Sequence, residues 1–456
     1  MSRVAKVAKS RFAKDAVTLQ LGALLNSGSN LFASLVLAHL LGARMQGVYV
    51  VALSLYALLF FLLNLGVQQG TVSQVAKAAG EQRVDKIADW LAFLFKAYVL
   101  VGVLLVLLGW VSLPHIVQWW DSWGHGSLAV ESSTLARWAL WLTLIPLIDT
   151  PRVVAVAAFQ GTRRMVSLIQ LETTTELVRA FLVIVGALVT NSAEGAVVGT
   201  VCAYAVGSFL AFERYYTALV DGATPLPGLR RILRSTFNVP MPRGLWLGIR
   251  IGVLRQVDAL SMTILPPLII QTFGSSAWVA YFRIAQSIMT LPFRMMQGLS
   301  RTALPAFSQL AGAKDMQRFR LAYWRVTLTG GGLIAGGILL CLPLIPILVG
   351  LLYPPDYAEP VWTLSAILSL GFISAAFAVA LDSFYIVTQE LKRGIQLTVS
   401  GLLITVPVAV LLCWMFPETG IAWGMVCIMS WGFVHYAYVW RYFKDERHLR
   451  QELTAA

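Results

Sequence analysis

The chain has 456 residues, 58% of them hydrophobic and 12% charged, with a formal net charge of +13 and a mean hydropathy of +0.72. A soluble domain of this composition would lack the polar surface to cover its core, so the basic balance does not describe a nucleic-acid binder. In lipid only helices and closed barrels satisfy the backbone, and apolar runs of about 20 residues suit helices better than alternating barrel strands.

The N-terminal stretch carries Arg3, Lys6, Lys9, Arg11 and Lys14, and the apolar sequence 16–41 that follows is too long for a signal-peptide core. It is expected to remain as the first span. Further spans are predicted at 48–70, 89–112, 134–160, 167–190, 195–219, 243–268, 276–302, 319–348, 361–386, 394–416 and 421–443. Basic residues occupy every second gap, as in Lys77, Arg83 and Lys86, then Arg163 and Arg164, then Arg230, Arg231 and Arg234, and later Lys392 and Arg393. The opposite gaps hold only Arg44. Cytoplasmic loops retain Lys and Arg, so this alternation predicts twelve spans of an inner-membrane protein with both termini cytoplasmic.

Residues 220–242 contain Pro225, Pro227, Pro240 and Pro242 among arginines, a composition that resists continuous helix. The expected organisation is a basic N-terminus (1–15), an N-lobe (16–219), a linker (220–242), a C-lobe (243–443) and a tail (444–456). The halves resemble each other. Tyr49, Ala52 and Ser73-Gln74-Val75-Ala76 are answered by Tyr281, Ala285 and Ser308-Gln309-Leu310-Ala311, and Arg163-Arg164 by Lys392-Arg393. Two halves of six spans share one orientation and would enclose a cavity between them.

Ionisable residues inside spans cost a few kcal/mol and usually face a wet cavity or a partner. Span four carries Asp149 and Arg152, and span five Glu172, Glu176 and Arg179, spaced so that each set shares a helix face. They are either internal ion pairs or an acidic site that takes up a proton or sodium ion, with Glu176 the better candidate. In span seven, Arg250, Arg255 and Asp258 fall within about 140° of the helix surface, and span eight adds Arg283 and Arg294. This surplus of guanidinium suits an anionic, phosphate-bearing ligand, because the Arg fork matches phosphate oxygens; the bland alternative is snorkelling to the interface. His39 and Lys96 read as snorkelling or locally bonded residues.

Residues 113–133 hold Trp119, Trp120 and Trp123, which either form an interfacial aromatic belt or stack on sugar. Gly330-Gly331-Gly332 and Gly336-Gly337 in span nine suit close helix packing, and Pro146, Pro151, Pro266, Pro267, Pro292, Pro343 and Pro346 mark expected kinks. The four cysteines lie far apart inside predicted helices, without metal-ligand spacing. No phosphate-cradling Gly-Lys-Ser/Thr loop and no His-Glu-x-x-His occurs, so neither a cofactor, a metal nor enzymatic chemistry is expected.

Leu41-Gly42 through Gly47-Val48-Tyr49, Asn64-Leu65-Gly66, Phe159-Gln160-Gly161 with Arg163-Arg164, Ala280-Tyr281 and Leu304-Pro305-Ala306-Phe307-Ser308 together resemble prokaryotic polysaccharide and O-antigen-type flippases. These belong to the multidrug, oligosaccharidyl-lipid and polysaccharide (MOP) exporter superfamily. The resemblance covers residues from about Ala16 to Phe443. It implies an all-α integral membrane fold of twelve transmembrane helices in two six-helix lobes, with a V-shaped central cavity that opens alternately to either side. It further implies a polyprenyl-diphosphate-linked oligosaccharide as cargo, with Arg250, Arg255 and Arg283 as diphosphate contacts. Membrane lipid and a polysaccharide polymerase or export machinery would be partners. A cation-coupled small-molecule exporter of the same fold stands as the alternative. A membrane polymerase or ligase is less in keeping with loops this short.

Overall fold

One uninterrupted helix from Arg3 to Leu63 would be about 90 Å long, three times the hydrocarbon thickness of a bilayer. The run instead folds back at Gly42, whose φ of 67° and ψ of 169° are open to glycine without strain. The Gln46 side-chain amide then donates to the Ser34 carbonyl at 3.0 Å and to its hydroxyl at 3.1 Å. On a straight helix those two residues would be about 18 Å apart. Residues 3–41 and 43–63 are therefore the two arms of a hairpin, α1, and supply the first two spans. Just past the turn, Gly47 lies so close to Ser276 that an added Cβ would stand 1.6 Å from the Ser276 carbonyl oxygen.

The computed structural model describes residues 3–63, 66–123, 130–221, 226–239, 259–295, 307, 315–388 and 390–444. After α1 come α2 (Val67–Gly80), α3 (Val84–Trp123), α4 (Ser132–Leu142), α5 (Ile145–Gly161), α6 (Met165–Thr190), α7 (Ala193–Val220) and α8 (Leu229–Asn238). A π-helical turn, Leu260–Ile264, leads into α9 (Leu265–Phe273) and then α10 (Ser276–Met295). The chain continues with α11 (Met316–Cys341), α12 (Ile345–Leu352), α13 (Ala358–Ala376), α14 (Leu381–Val387), α15 (Leu391–Met415), α16 (Gly420–Ser430) and α17 (Gly432–Lys444). There is no strand among the described residues. Nine helical stretches there are long and apolar enough to cross a membrane, and the first of them, Gln20–Phe61, is the double-crossing hairpin.

Prolines break two of the spans. Span four divides into α4 and α5 just before Pro146, and span nine divides into α11 and α12 around Pro343 and Pro346. Pro151 and Pro292 stay inside helices. Span ten is interrupted without proline, by a 3-10 turn at Phe377–Ala380. There Gly331 of α11 admits the Phe377 ring, which a Cβ would meet at 2.5 Å, so one member of the glycine triplet serves packing. Span three differs from its predicted end at 112, since α3 continues through Pro114 to Trp123 and places Trp119 and Trp120 on helix rather than in a loop.

The chain forms two compact units, Met1–Ala280 and Tyr281–Ala456. In the first, α6 and α7 make a tight hairpin in which Gly186 and Gly195 meet backbone to backbone, and Phe159, Leu91 and Leu94 are fully buried in its core. The second is centred on stacked and edge-on aromatics, Phe319, Tyr323, Phe384 and Phe443. Its hairpin of α15 and α16 brings Gly420 against Leu412 and Gly424 against Ala409, the counterpart of the α6/α7 contact. The four cysteines are free thiols.

Candidate functional site

In α5 the Arg152 guanidinium grips Asp149 one turn away, with Nε donating to Oδ1 and Nη2 to Oδ2, both at 2.6 Å. The Asp149 side chain is 8% exposed, so this bidentate pair removes a carboxylate from lipid-facing cost by giving it a fork of charge-assisted bonds. In α6, Arg179 Nε donates to Glu176 Oε2 at 2.9 Å. A second contact from Arg179, to the Asn30 side-chain oxygen, ties the pair to α1, and Asn30 Nδ2 reaches Glu176 Oε2 at 3.4 Å. Tyr204 of α7 places its ring 5.7 Å from the Arg152 guanidinium carbon. Tyr56, Tyr98 and Tyr204 all stand close enough to Asp149 to interact with it electrostatically.

Arg152, Glu176, Arg179 and Tyr204 of this cluster line a cavity of about 170 Å³ in the first unit, together with Asn26, Glu172, Thr175 and Ala203. That volume accommodates on the order of ten waters or a small ion. Two lining oxygens, Asn26 Oδ1 and Thr175 Oγ1, are buried with no hydrogen-bond partner among the described residues. Gly207 makes the room for Thr175 and Arg152: a Cβ there would meet Thr175 Cγ2 at 2.8 Å and Arg152 Cδ at 3.5 Å. Nearby, the Tyr49 and Thr200 hydroxyls share a buried hydrogen bond of 2.9 Å between α1 and α7.

All five ionisable residues singled out in spans four and five thus meet in one place. Asn26, Asn30, Thr175 and Tyr204 join them from the structure alone. Asn26 and Asn30 had a signal, being two amides four apart on one face of the first span.

The second set is more dispersed. Arg283 is half-buried on α10 and donates to Gln286 Oε1 at 2.9 Å. Arg250, Arg255 and Asp258 lie outside the described residues. Trp120 Nε1 donates to Thr272 Oγ1 at 2.7 Å, joining α3 to α9, while Trp119 is 61% exposed and the Trp123 side chain lies outside the described set. Lys96 is locally bonded, donating to the Val239 carbonyl at 3.3 Å.

No family model and no curated protein sequence matches the chain. Solved structures do. An inward-facing multidrug resistance MATE family transporter of the MOP superfamily superimposes with a TM-score of 0.74 at 16% identity, covering 96% of this chain and 99% of that one. The eukaryotic MATE transporter AtDTX14 gives 0.64 at 15% identity over 97% and 99% of the two chains. The MATE multidrug transporter DinF-BH, in complex with rhodamine 6G, gives 0.69 at 16% identity over 95% of each. Such identities carry the fold alone: this chain is an all-α, multi-pass membrane protein with the fold of MATE transporters of the MOP superfamily, which have twelve helices in two lobes.

Proposed function

We propose that this chain is a secondary transporter that exports its cargo by alternating access, and that the cluster between α1, α5, α6 and α7 takes up the driving cation. The observation that carries this reading is the cluster's composition. Two carboxylates (Glu172, Glu176) and two guanidiniums (Arg152, Arg179) line a cavity, with a third carboxylate, Asp149, paired to Arg152 beside it, and the cavity also presents two buried oxygens without a hydrogen-bond partner among the described residues. A proton on a carboxylate, or a sodium ion among these oxygens, brings the formal charge of the five groups to zero in a setting of low dielectric. Arg179 already divides its bonds between Glu176 and Asn30, so neutralising Glu176 would shift it toward α1. That is a local change able to bias two packings of one helical unit.

For the cargo, the neighbouring structures are described as multidrug transporters, one of them holding rhodamine 6G, which supports an amphipathic organic molecule. The distribution of basic residues supports an inner-membrane setting with both termini cytoplasmic.

The second reading keeps the lipid-linked oligosaccharide as cargo. It is favoured by the surplus of arginine in spans seven and eight, including the half-buried Arg283 on α10, and by the motifs that resemble polysaccharide flippases. Under it Arg250, Arg255 and Arg283 would hold the diphosphate, Trp119 and Trp120 would be available to sugar, and a polymerase or export machinery would receive the product. The potential, outside positive, would draw an anionic headgroup outward with about 2.3 kcal/mol per charge per 100 mV.

Liposomes holding the purified protein, given rhodamine 6G or a fluorescent undecaprenyl-diphosphate oligosaccharide under an imposed proton or sodium gradient, separate the two. Gradient-dependent movement of the dye that is lost in Glu176→Gln is the expected result. Movement of the lipid-linked sugar alone, abolished in the Arg250→Gln, Arg255→Gln, Arg283→Gln triple variant, would replace the first reading by the second.

A further inference from the structure

Helix α8 (Leu229–Asn238) follows the proline-rich start of the linker, and its ten residues fall into sharply different surfaces. At about 100° per residue, Leu229, Ile232 and Thr236 form one face, Leu233 and Phe237 lie on its flank about 40° apart, and Arg230 and Arg234 come next, another 40° apart. The first face is docked. Ile232 is 3% exposed in the core of the first unit, and α8 packs along α3. The flank is not covered: Phe237 is 87% and Leu233 52% exposed. No ion pair involves Arg230 or Arg234 among the described residues.

Three fastenings hold the helix in that orientation. The Tyr215 hydroxyl donates to the Pro227 carbonyl at 2.8 Å just before it, Arg231 pairs with Asp85 at the start of α3, and Lys96 caps the Val239 carbonyl just after it. Those α3 contacts also set its depth. Span three is predicted to begin at residue 89, so the Val239 end of α8, held by Lys96, lies about 10 Å inside the hydrocarbon edge along α3. The Asp85 end lies about 16 Å further out along α3, about 6 Å beyond that edge and so at headgroup level. α8 thus runs alongside α3 across the bilayer edge, with Arg230 near its headgroup end, Arg234 about one turn deeper and Phe237 near its acyl-chain end.

We propose that α8 is an interfacial helix that binds anionic phospholipid, with Arg230 and Arg234 on the headgroup phosphates and Leu233 and Phe237 among the upper acyl chains. Charge complementarity selects the occupant: two guanidiniums four apart, with no ion-paired carboxylate among the described residues, beside an apolar pair at the depth of the acyl-chain boundary. Because α8 lies in the segment between the two predicted lobes, occupancy by lipid would fix one end of that segment to the first unit.

The test titrates phosphatidylglycerol or phosphatidylcholine into the full-length protein in detergent, reading retained lipid by native mass spectrometry and Tm in parallel. Wild type should retain phosphatidylglycerol and gain Tm with it, and should do neither with phosphatidylcholine. Arg230→Gln with Arg234→Gln should weaken phosphatidylglycerol retention roughly tenfold or more, as expected from losing two basic contacts. Arg230→Lys with Arg234→Lys should keep most of it, as should the control Arg318→Gln with Arg320→Gln. Inorganic phosphate at matching concentration should not compete, since it lacks the chains that Leu233 and Phe237 take. Equal retention of both lipids by wild type, undiminished retention in the double Gln variant, or displacement by free phosphate would each overturn the assignment.

Discussion

Without the Arg152 guanidinium, the Asp149 carboxylate would be left buried in the first unit with neither of its two fork bonds. Breaking a buried pair from one side costs about 3–5 kcal/mol, whereas removing both partners costs far less. Arg152→Gln is therefore expected to lower the Tm in detergent markedly, and Asp149→Asn with Arg152→Gln to recover most of it; equal losses in the two would mean that the pair carries no such tension. Tyr49→Phe removes one buried hydrogen bond to Thr200, which still donates to the Ala196 carbonyl, so a loss of about 1 kcal/mol is expected, read from the same melting curves. At this scale the sequence was legible for pairs on one helix. Asp149 with Arg152 and Glu176 with Arg179 follow from a spacing of three, a property of helix geometry alone. That Asn30 shares Arg179 with Glu176, or that Thr175 and Arg152 need Gly207, depends on which helices are neighbours.

Helix elements here are limited by bilayer thickness, and the chain meets that limit with turns and breaks. Gly42 and Gly47 are two parts of the same device, one supplying the left-handed backbone that reverses α1 and the other letting the reversed arm touch Ser276. Both belong to the motif that carries the family resemblance, which ties that motif to hairpin geometry rather than to cargo. Gly47→Ala must displace backbone and should cost about 1–3 kcal/mol or more. Gly28→Ala, on the same hairpin where a Cβ meets nothing within 4 Å, should instead be neutral or stabilise by about 0.5–1 kcal/mol. Melting temperatures of the two variants side by side test this, and a harmless Gly47→Ala would contradict the close approach. Prolines made the breaks in spans four and nine legible, because a missing amide acts locally. The break at Phe377 had no such marker: it arises where a ring from one span enters the gap left by Gly331 on another.

For the whole molecule, twelve crossings reconcile the helices with the alternation of basic gaps, once α1 is counted twice, α10 is taken as span eight, and span seven is the predicted 243–268, most of which lies outside the described residues. Single cysteines at Arg83 and Lys392 should then be labelled by a membrane-impermeant maleimide only from the side of the termini, and those at Ser133 and Glu418 only from the other. Background labelling of Cys202 and Cys341, the two exposed native thiols, has to be removed first by serine substitution. Labelling of Arg83→Cys and Glu418→Cys from one side would refute the orientation derived from the charge pattern.

Composition, apolar run length and the periodic basic gaps by themselves determined a helical, multi-pass membrane protein, because each of these is a transfer energy summed over a local segment and needs no knowledge of neighbours. Helix-internal ion pairs were determined in the same way. Only the tertiary structure decided that four ionisable residues from two spans, an asparagine from a third and a tyrosine from a fourth line one cavity, and that α8 leaves an apolar flank exposed while Ile232 is buried. Those outcomes depend on which helix faces meet, and in lipid the meeting is set by close contacts such as Gly186 with Gly195 and Gly47 with Ser276, whose energy is absent until both partners are in place.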